Sequence, residues 1–200
     1  MPYSPRKRSL FTAAIVCMAG LAIAAEMVGV PGSSARFASA VDVQAAGKTV
    51  RLNLTGTAIR KKAVFSVYAI ASYLQEGVTA KNAEQLAAAE SVKMLHLVME
   101  RDVSGKDMAE AIQAGVRLNH PGDTFAAEMK KVGQILGSMN LRKGDQVLLT
   151  AVPGAGMRCQ VVGKTDVVIE NYKFARAIWD IYLGRQNVGE SVKIGLTSRL

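Results

Sequence analysis

The sequence predicts an α+β fold in which an antiparallel sheet is covered on one face by a layer of helices. Three observations predict it. Strand patterns come first, between residues 48 and 75. Two amphipathic helix patterns fill the middle, between residues 104 and 140. Three short strand patterns and a last helix follow, between residues 145 and 184. From Val41 onward there is no linker, repeat or low-complexity tract, so residues 41–200 read as one domain.

"KTVRLNLTG" alternates Val50, Leu52 and Leu54 with polar neighbours, the period of a half-buried strand. "AVFSVYAIASYLQ" is rich in β-branched and aromatic residues and follows closely, so the two segments predict a hairpin that turns near Lys61 and Lys62. "KNAEQLAAAES" predicts a short helix from its composition. "VKMLHLVMER" is apolar on both alternating sets, which predicts a strand covered on both faces.

Ser104 then stands as an N-cap with Asp107 three residues on, opening a helix whose apolar positions Met108, Ala111, Ile112, Gly115 and Val116 share a face. Phe125, Met129, Val132, Leu136 and Met139 repeat that spacing in a second helix. "DQVLLTAV", "MRCQVVG" and "DVVIE" are strand patterns joined by turns, with Gly154 and Gly156 supplying the first. "NYKFARAIWDIYLG" predicts a helix that turns Phe174, Ile178, Ile181 and Tyr182 inward and stops at Gly184. A short segment, "SVKIGLTS", closes the chain.

The first forty residues have a different character. Arg6, Lys7 and Arg8 precede a charge-free apolar run from Leu10 to Ala25, and small residues suited to cleavage end at Ala24 or Ala25 and again at Ala40. This is the pattern of a secretory signal peptide, expected over residues 1–40 and removed on export to the periplasm or the medium. The rival reading is a retained membrane anchor, because the run is near the lower length limit for a bilayer span. Val16 ahead of Cys17 does not fit a lipoprotein site.

Removing residues 1–40 takes away four of 25 cations and one of 16 anions, so the net charge falls from +9 to +6. The excess is scattered and aromatics are few, which excludes a nucleic-acid module and leaves room only for weak contact with anionic membrane surfaces. Cys159 becomes the sole cysteine, so no internal disulfide is expected, and its strand setting predicts a core thiol. His96 and His120 have no Cys or carboxylate at ligand spacing, so no metal is expected, and no P-loop, nucleophile elbow or dinucleotide fingerprint calls for a cofactor. Glu100 to Asp102 read as a charged loop. Met94, Met99, Met108, Met129 and Met139, with Gly115, Gly133 and Gly137, either line an adaptable apolar cavity or pack the helix–sheet core.

"LNLTGTAIRKKAVFSVYAIASYLQ", "RDVSGKDMAEAIQAG", "LRKGDQVLLTAVPGAG" and "FARAIWDIYLG", in that order, resemble the bacterial exported branch of the chalcone isomerase-like family. The resemblance implies an open-faced β-sandwich with a ligand cleft between sheet and helices. It also implies one of two activities: closure of a chalcone to a flavanone, or non-catalytic binding of a fatty acid by arginine and tyrosine. Arg60 matches the arginine common to both groups. Tyr68 stands at the position of the enzymes' threonine, Met108 at that of the helix tyrosine, Gly115 at that of the helix asparagine, and Ile181 at that of the last-helix hydroxyl residue.

Cyclisation needs several placed donors, and Met108, Gly115 and Ile181 donate nothing from their side chains. One guanidinium and a phenol among apolar walls suit a long-chain carboxylate instead, since arginine holds it by charge-assisted bonds. The leading expectation is therefore a non-catalytic binder of a small amphipathic carboxylate, with Arg60 facing the ligand and Tyr68, Tyr73 or Tyr182 as its companion. The alternative is an isomerase or intramolecular lyase with Arg60 as oxyanion stabiliser and Tyr68 as proton donor. In a third reading, a structural or partner-binding protein, Arg60, Lys61 and Lys62 are only a solvated turn.

Overall fold

The alternation that begins at Lys48 runs on to Lys62 as strand β4 (Lys48–Lys62), and β5 (Phe65–Gln75) returns alongside it after the turn at Ala63 and Val64. The computed structural model describes residues 26–200. The basic start and apolar run of the expected leader lie outside the described residues. Ahead of β4 come β1 (Met27–Gly29), β2 (Arg36–Ala38) and β3 (Ala40–Ala45), none of which the sequence patterns predict. The expected boundary after Ala40 falls inside this folded segment.

After β5 come α1 (Ala83–Ala88), β6 (Lys93–Met99), β7 (Val103–Ser104), α2 (Gly105–Asn119) and α3 (Ala126–Gly137). The chain finishes with β8 (Asn140–Leu141), β9 (Gln146–Val152), β10 (Gly156–Val161), β11 (Thr165–Ile169), α4 (Tyr172–Leu183) and α5 (Glu190–Leu196). The principal sheet is antiparallel throughout, in the order β11-β10-β9-β6-β5-β4-β3, and curls into a half-barrel. It consists of two meanders joined where β6 pairs with β9, and among the described residues β3 and β11 are its open edges. The crossover between the meanders, residues 100–145, carries α2 and α3 onto the same face as α4. The α+β expectation therefore holds.

Local signals place the helices. Ser104 Oγ accepts the Asp107 N–H at the start of α2, and Asn171 Oδ1 accepts the Phe174 N–H at the start of α4, which satisfies amides that the first turn leaves free. α4 lies at the centre of the helical layer, burying Phe174, Ile178, Trp179, Ile181 and Tyr182 against the sheet and its neighbours.

The other face of the sheet has its own core. Leu52, Leu54, Ala69, Ala71, Tyr73 and Met94 meet Val30 and Phe37 from the β1–β2 segment. Phe37 is 1% exposed and packs edge-on against the His96 ring at 5.0 Å. The strand expected to be covered on both faces, β6, is covered on both.

One bulge sets which way the far half of β4 faces. Between Leu54 and Gly56 the pairing of β4 with β5 slips by one residue. Ahead of it Leu52 and Leu54 point to the Phe37 side; beyond it Ala58 packs in the helix-side core. A bulge reverses the parity of a strand. Without it, Arg60 would share a face with Leu54.

Lys93 is the largest charged group in the interior, 1% exposed, on the helix side of β6. Its Nζ donates to the carbonyls of Leu86 (3.3 Å) and Ala87 at the end of α1 and lies 5.2 Å from the centre of a Trp179 ring. Burial strips the ammonium of water and lowers its pKa to about 8; Arg176 pushes the same way and Asp180 opposes both. Below pH 8 the lysine is charged in folded and unfolded chain alike, and its burial penalty is fully present. Above pH 8 the folded chain releases the proton while the unfolded chain, near 10.5, still holds it. Stability is thus expected to rise by roughly 2 kcal/mol between about pH 8 and 10. Above that range it falls again, because burial raises the pKa values of Tyr68, Tyr73 and Tyr182. Denaturation midpoints across this range, with Lys93→Met as the control in which the rise disappears, check it.

Candidate functional site

Arg60 and Tyr68 are direct cross-strand partners in the β4–β5 hairpin, so their side chains leave the sheet on the same face. That is the helix face. Tyr68 Oη meets Tyr182 Oη from α4 at 3.1 Å, and both phenols are buried. Two hydroxyls carry two hydrogens and one is spent between them, so the second is free for another acceptor. Burial raises the pKa of each phenol, with the Arg60 charge lowering both in opposition, so the pair stays neutral at ordinary pH. Arg60 is half-buried; its guanidinium donates to the Lys61 carbonyl and, among the described residues, forms no ion pair with a carboxylate.

These three groups border a cavity of about 820 Å³ between the sheet and α2, α3 and α4. That volume is in the range of small-molecule sites, roughly 300–1,000 Å³. Beyond the Arg60 end the wall is mainly apolar, with Leu97, Leu149 and Met157 from the sheet, Val132 and Leu136 from α3 and Ile178 from α4; Ser104, Asp107, Glu110 and Asn187 are its further polar members. Met108, Gly115 and Ile181 also line it. Gly115 has a steric reason to lack a side chain, since a Cβ there would stand 2.8 Å from Ile181 Cγ2. α2 and α4 touch at that point, and both contribute to the cavity wall. Cys159 belongs to the wall too, and burial pushes its thiol up to about 11, so it is an apolar surface and not a nucleophile.

Six of the seven residues expected at the site therefore come together: Arg60, Tyr68, Met108, Gly115, Ile181 and Tyr182. Tyr73 does not. It lies five residues after Tyr68 on a stretch of β5 that pairs with β6 without a bulge, an odd step that sends it to the other face, where its hydroxyl donates to the Ala38 carbonyl at 3.0 Å. Met94 is on that face as well. The remaining methionines and glycines of that set, apart from Met108 and Gly115, do not line the cavity.

The structure adds residues that the patterns do not single out. Lys62, expected only in a solvated turn, is exposed yet borders the mouth. Arg101 and Asp102, expected in a charged loop, line the cavity too. The only signal for the latter pair is their presence in the "RDVSG" stretch that carries the family resemblance. Cys159 and the α3 leucine and valine carry no signal at all beyond being apolar.

Residues 34–197 match the family model described as chalcone isomerase-like. Among solved structures the fold is similar to that of a fatty-acid binding protein from Arabidopsis thaliana, at 13% identity and a TM-score of 0.64 over 86% of this chain and 96% of that one. No curated protein significantly matches the sequence.

Proposed function

The chain belongs to the chalcone isomerase-like family, and on that premise we propose that it binds a small amphipathic carboxylate, a fatty acid, without transforming it. The observation that carries the reading is the composition of the cavity. One end offers the Arg60 guanidinium and the spare hydrogen of the Tyr68–Tyr182 pair; the wall beyond is mainly apolar, with Ser104, Asp107, Glu110 and Asn187 as polar members. A carboxylate head accepts from both donors, and the alkyl chain replaces water along Leu97, Leu149 and Ile178. The ligand class named for the Arabidopsis protein supports this choice. The leader pattern of the sequence supports a site of action in the periplasm or outside the cell.

The test is to recover the protein from its cells under native conditions and weigh it. A co-purifying acyl carboxylate, or uptake of added hexadecanoate, is expected by native mass spectrometry. Arg60→Ala is expected to weaken hexadecanoate binding by about tenfold to a hundredfold, the worth of a charged hydrogen bond. A protein that comes out empty, ignores hexadecanoate and is indifferent to Arg60→Ala sinks the proposal.

One feature favours a second reading. A neutral phenol with a spare hydrogen beside a guanidinium is also a proton donor beside an oxyanion stabiliser. Loss of chalcone absorbance above the spontaneous rate, dependent on Arg60, would make the protein an isomerase of this family. Met108, Gly115 and Ile181 weigh against that outcome, because they supply none of the further donors the cyclisation needs.

A further inference from the structure

We propose that the tip of the β4–β5 hairpin is a docking surface for an anionic lipid bilayer, held so that the mouth of the cavity meets the lipid. The purpose of the contact rests on the ligand reading above; its existence does not. Val64 is 82% exposed and Phe65 62% exposed, adjacent at the turn, in a protein that buries its other phenylalanines among the described residues. Neither side chain lines the cavity, and neither packs into either core. Around them stand Lys61 and Lys62 on the hairpin and Arg101 from the facing loop, whose guanidinium carbon lies 5.9 Å from the centre of the Phe65 ring.

No acid interrupts this surface from within the hairpin, because the sequence has none between Asp42 and Glu76. Outside the hairpin, Glu100 accepts the Ser33 hydroxyl and Asp102 accepts the Lys143 N–H at 2.8 Å, while Asp107 and Glu110 border the cavity from α2. Two apolar side chains inside a collar of cations are the chemistry that enters an acyl layer while pairing with phosphate headgroups. The placement gives the choice of partner its sense. Arg60, Lys62 and Arg101 border the cavity mouth, so a bilayer seated on the tip lies against the opening through which an acyl chain passes.

Flotation with phosphatidylcholine vesicles, with and without phosphatidylglycerol, tests this on the full chain and on matched variants. The apolar run of residues 10–25, where retained, contributes equally to every variant, so the readout is the part of the binding that depends on the tip and on phosphatidylglycerol. The expected result is salt-sensitive binding to the phosphatidylglycerol vesicles that falls about tenfold or more in V64D/F65D, and falls also in K61E. Hexadecanoate affinity in V64D/F65D should stay at the wild-type value. Equal flotation of V64D/F65D and wild type overturns the proposal. So does a change of mass by light scattering in V64D/F65D with vesicle binding unaltered, which would assign the tip to a second copy of the chain. Tip-dependent flotation of a protein that ignores hexadecanoate would sustain the docking surface and remove the ligand reading.

Discussion

Phe37→Ala is expected to lower the stability of the folded chain by about 3–5 kcal/mol, read from the midpoint of chemical denaturation. The ring is 1% exposed and fills the space between the β1–β2 segment and the outer face of the sheet, against the His96 ring. Alanine leaves a cavity that Leu52, Leu54 and Tyr73 can close only by moving strands pinned in a seven-stranded sheet, so little relaxation is available. The same segment is stitched by main-chain bonds from Ser39 N–H to the Glu26 carbonyl and from Leu54 N–H to the Ser39 carbonyl.

This bears on how an exported chain would be trimmed. A cut after Ala24 or Ala25 leaves β1 and β2 in place; a cut after Ala40 removes both and uncovers Tyr73, Met94 and their neighbours to water. The mass of the exported chain is therefore expected to correspond to a start at residue 25 or 26. A start at Val41, in a chain as stable as the longer form, would contradict the packing role of Phe37.

Gly56→Ala is expected to cost about 3 kcal/mol or more, and to weaken hexadecanoate binding besides. A Cβ at this position would stand 2.1 Å from the Gly195 carbonyl oxygen and 2.7 Å from the Leu196 carbonyl carbon, both backbone atoms of α5. Overpacking against backbone costs about 1–3 kcal/mol, and the φ of +155° adds strain of similar order for any side chain. α5 cannot simply retreat, because the Thr55 hydroxyl donates to the Leu196 carbonyl at 2.9 Å and the Arg199 N–H to the Thr55 carbonyl. The effect on binding follows from parity. Gly56 ends the bulge that turns Arg60 toward the helices, and a β4 strand repaired to regular pairing would carry Arg60 to the Phe37 side. Denaturation and hexadecanoate titration of the one variant read both consequences; normal stability in Gly56→Ala would show that α5 is not fixed as described.

Much of this was legible in the residues, and for identifiable reasons. α2 and α4 carry caps and an apolar stripe at helical spacing, and β4 and β5 are close enough in sequence that a hairpin is the simplest pairing. The gathering of Met108 and Gly115 follows from their seven-residue separation on one helix. Other features had no local signature. β1 to β3 are short, and "FASA" reads as a cleavage motif until Phe37 is seen to be buried. Tyr73 could have been assigned from parity alone, since an odd step from Tyr68 changes face. Arg60 could not. Uninterrupted alternation from Leu52 would have aimed it away from the cavity, and only the close approach of α5 explains the glycine and the bulge that turn it back.

The two open edges of the sheet bear on how molecules meet one another. An exposed strand edge is a template on which another chain can pair. On β3, Asp42 faces its register partner Arg51 of β4 at 3.6 Å; on β11, Asp166 takes both the Nε and a terminal nitrogen of Arg158 from β10. Each outermost strand thus carries a carboxylate tied back to an arginine one strand inside. Charged side chains on an outermost strand are one of the devices by which sheets discourage pairing with another chain. The half-barrel is left unclosed, and a charged pair stands at each of its two edges.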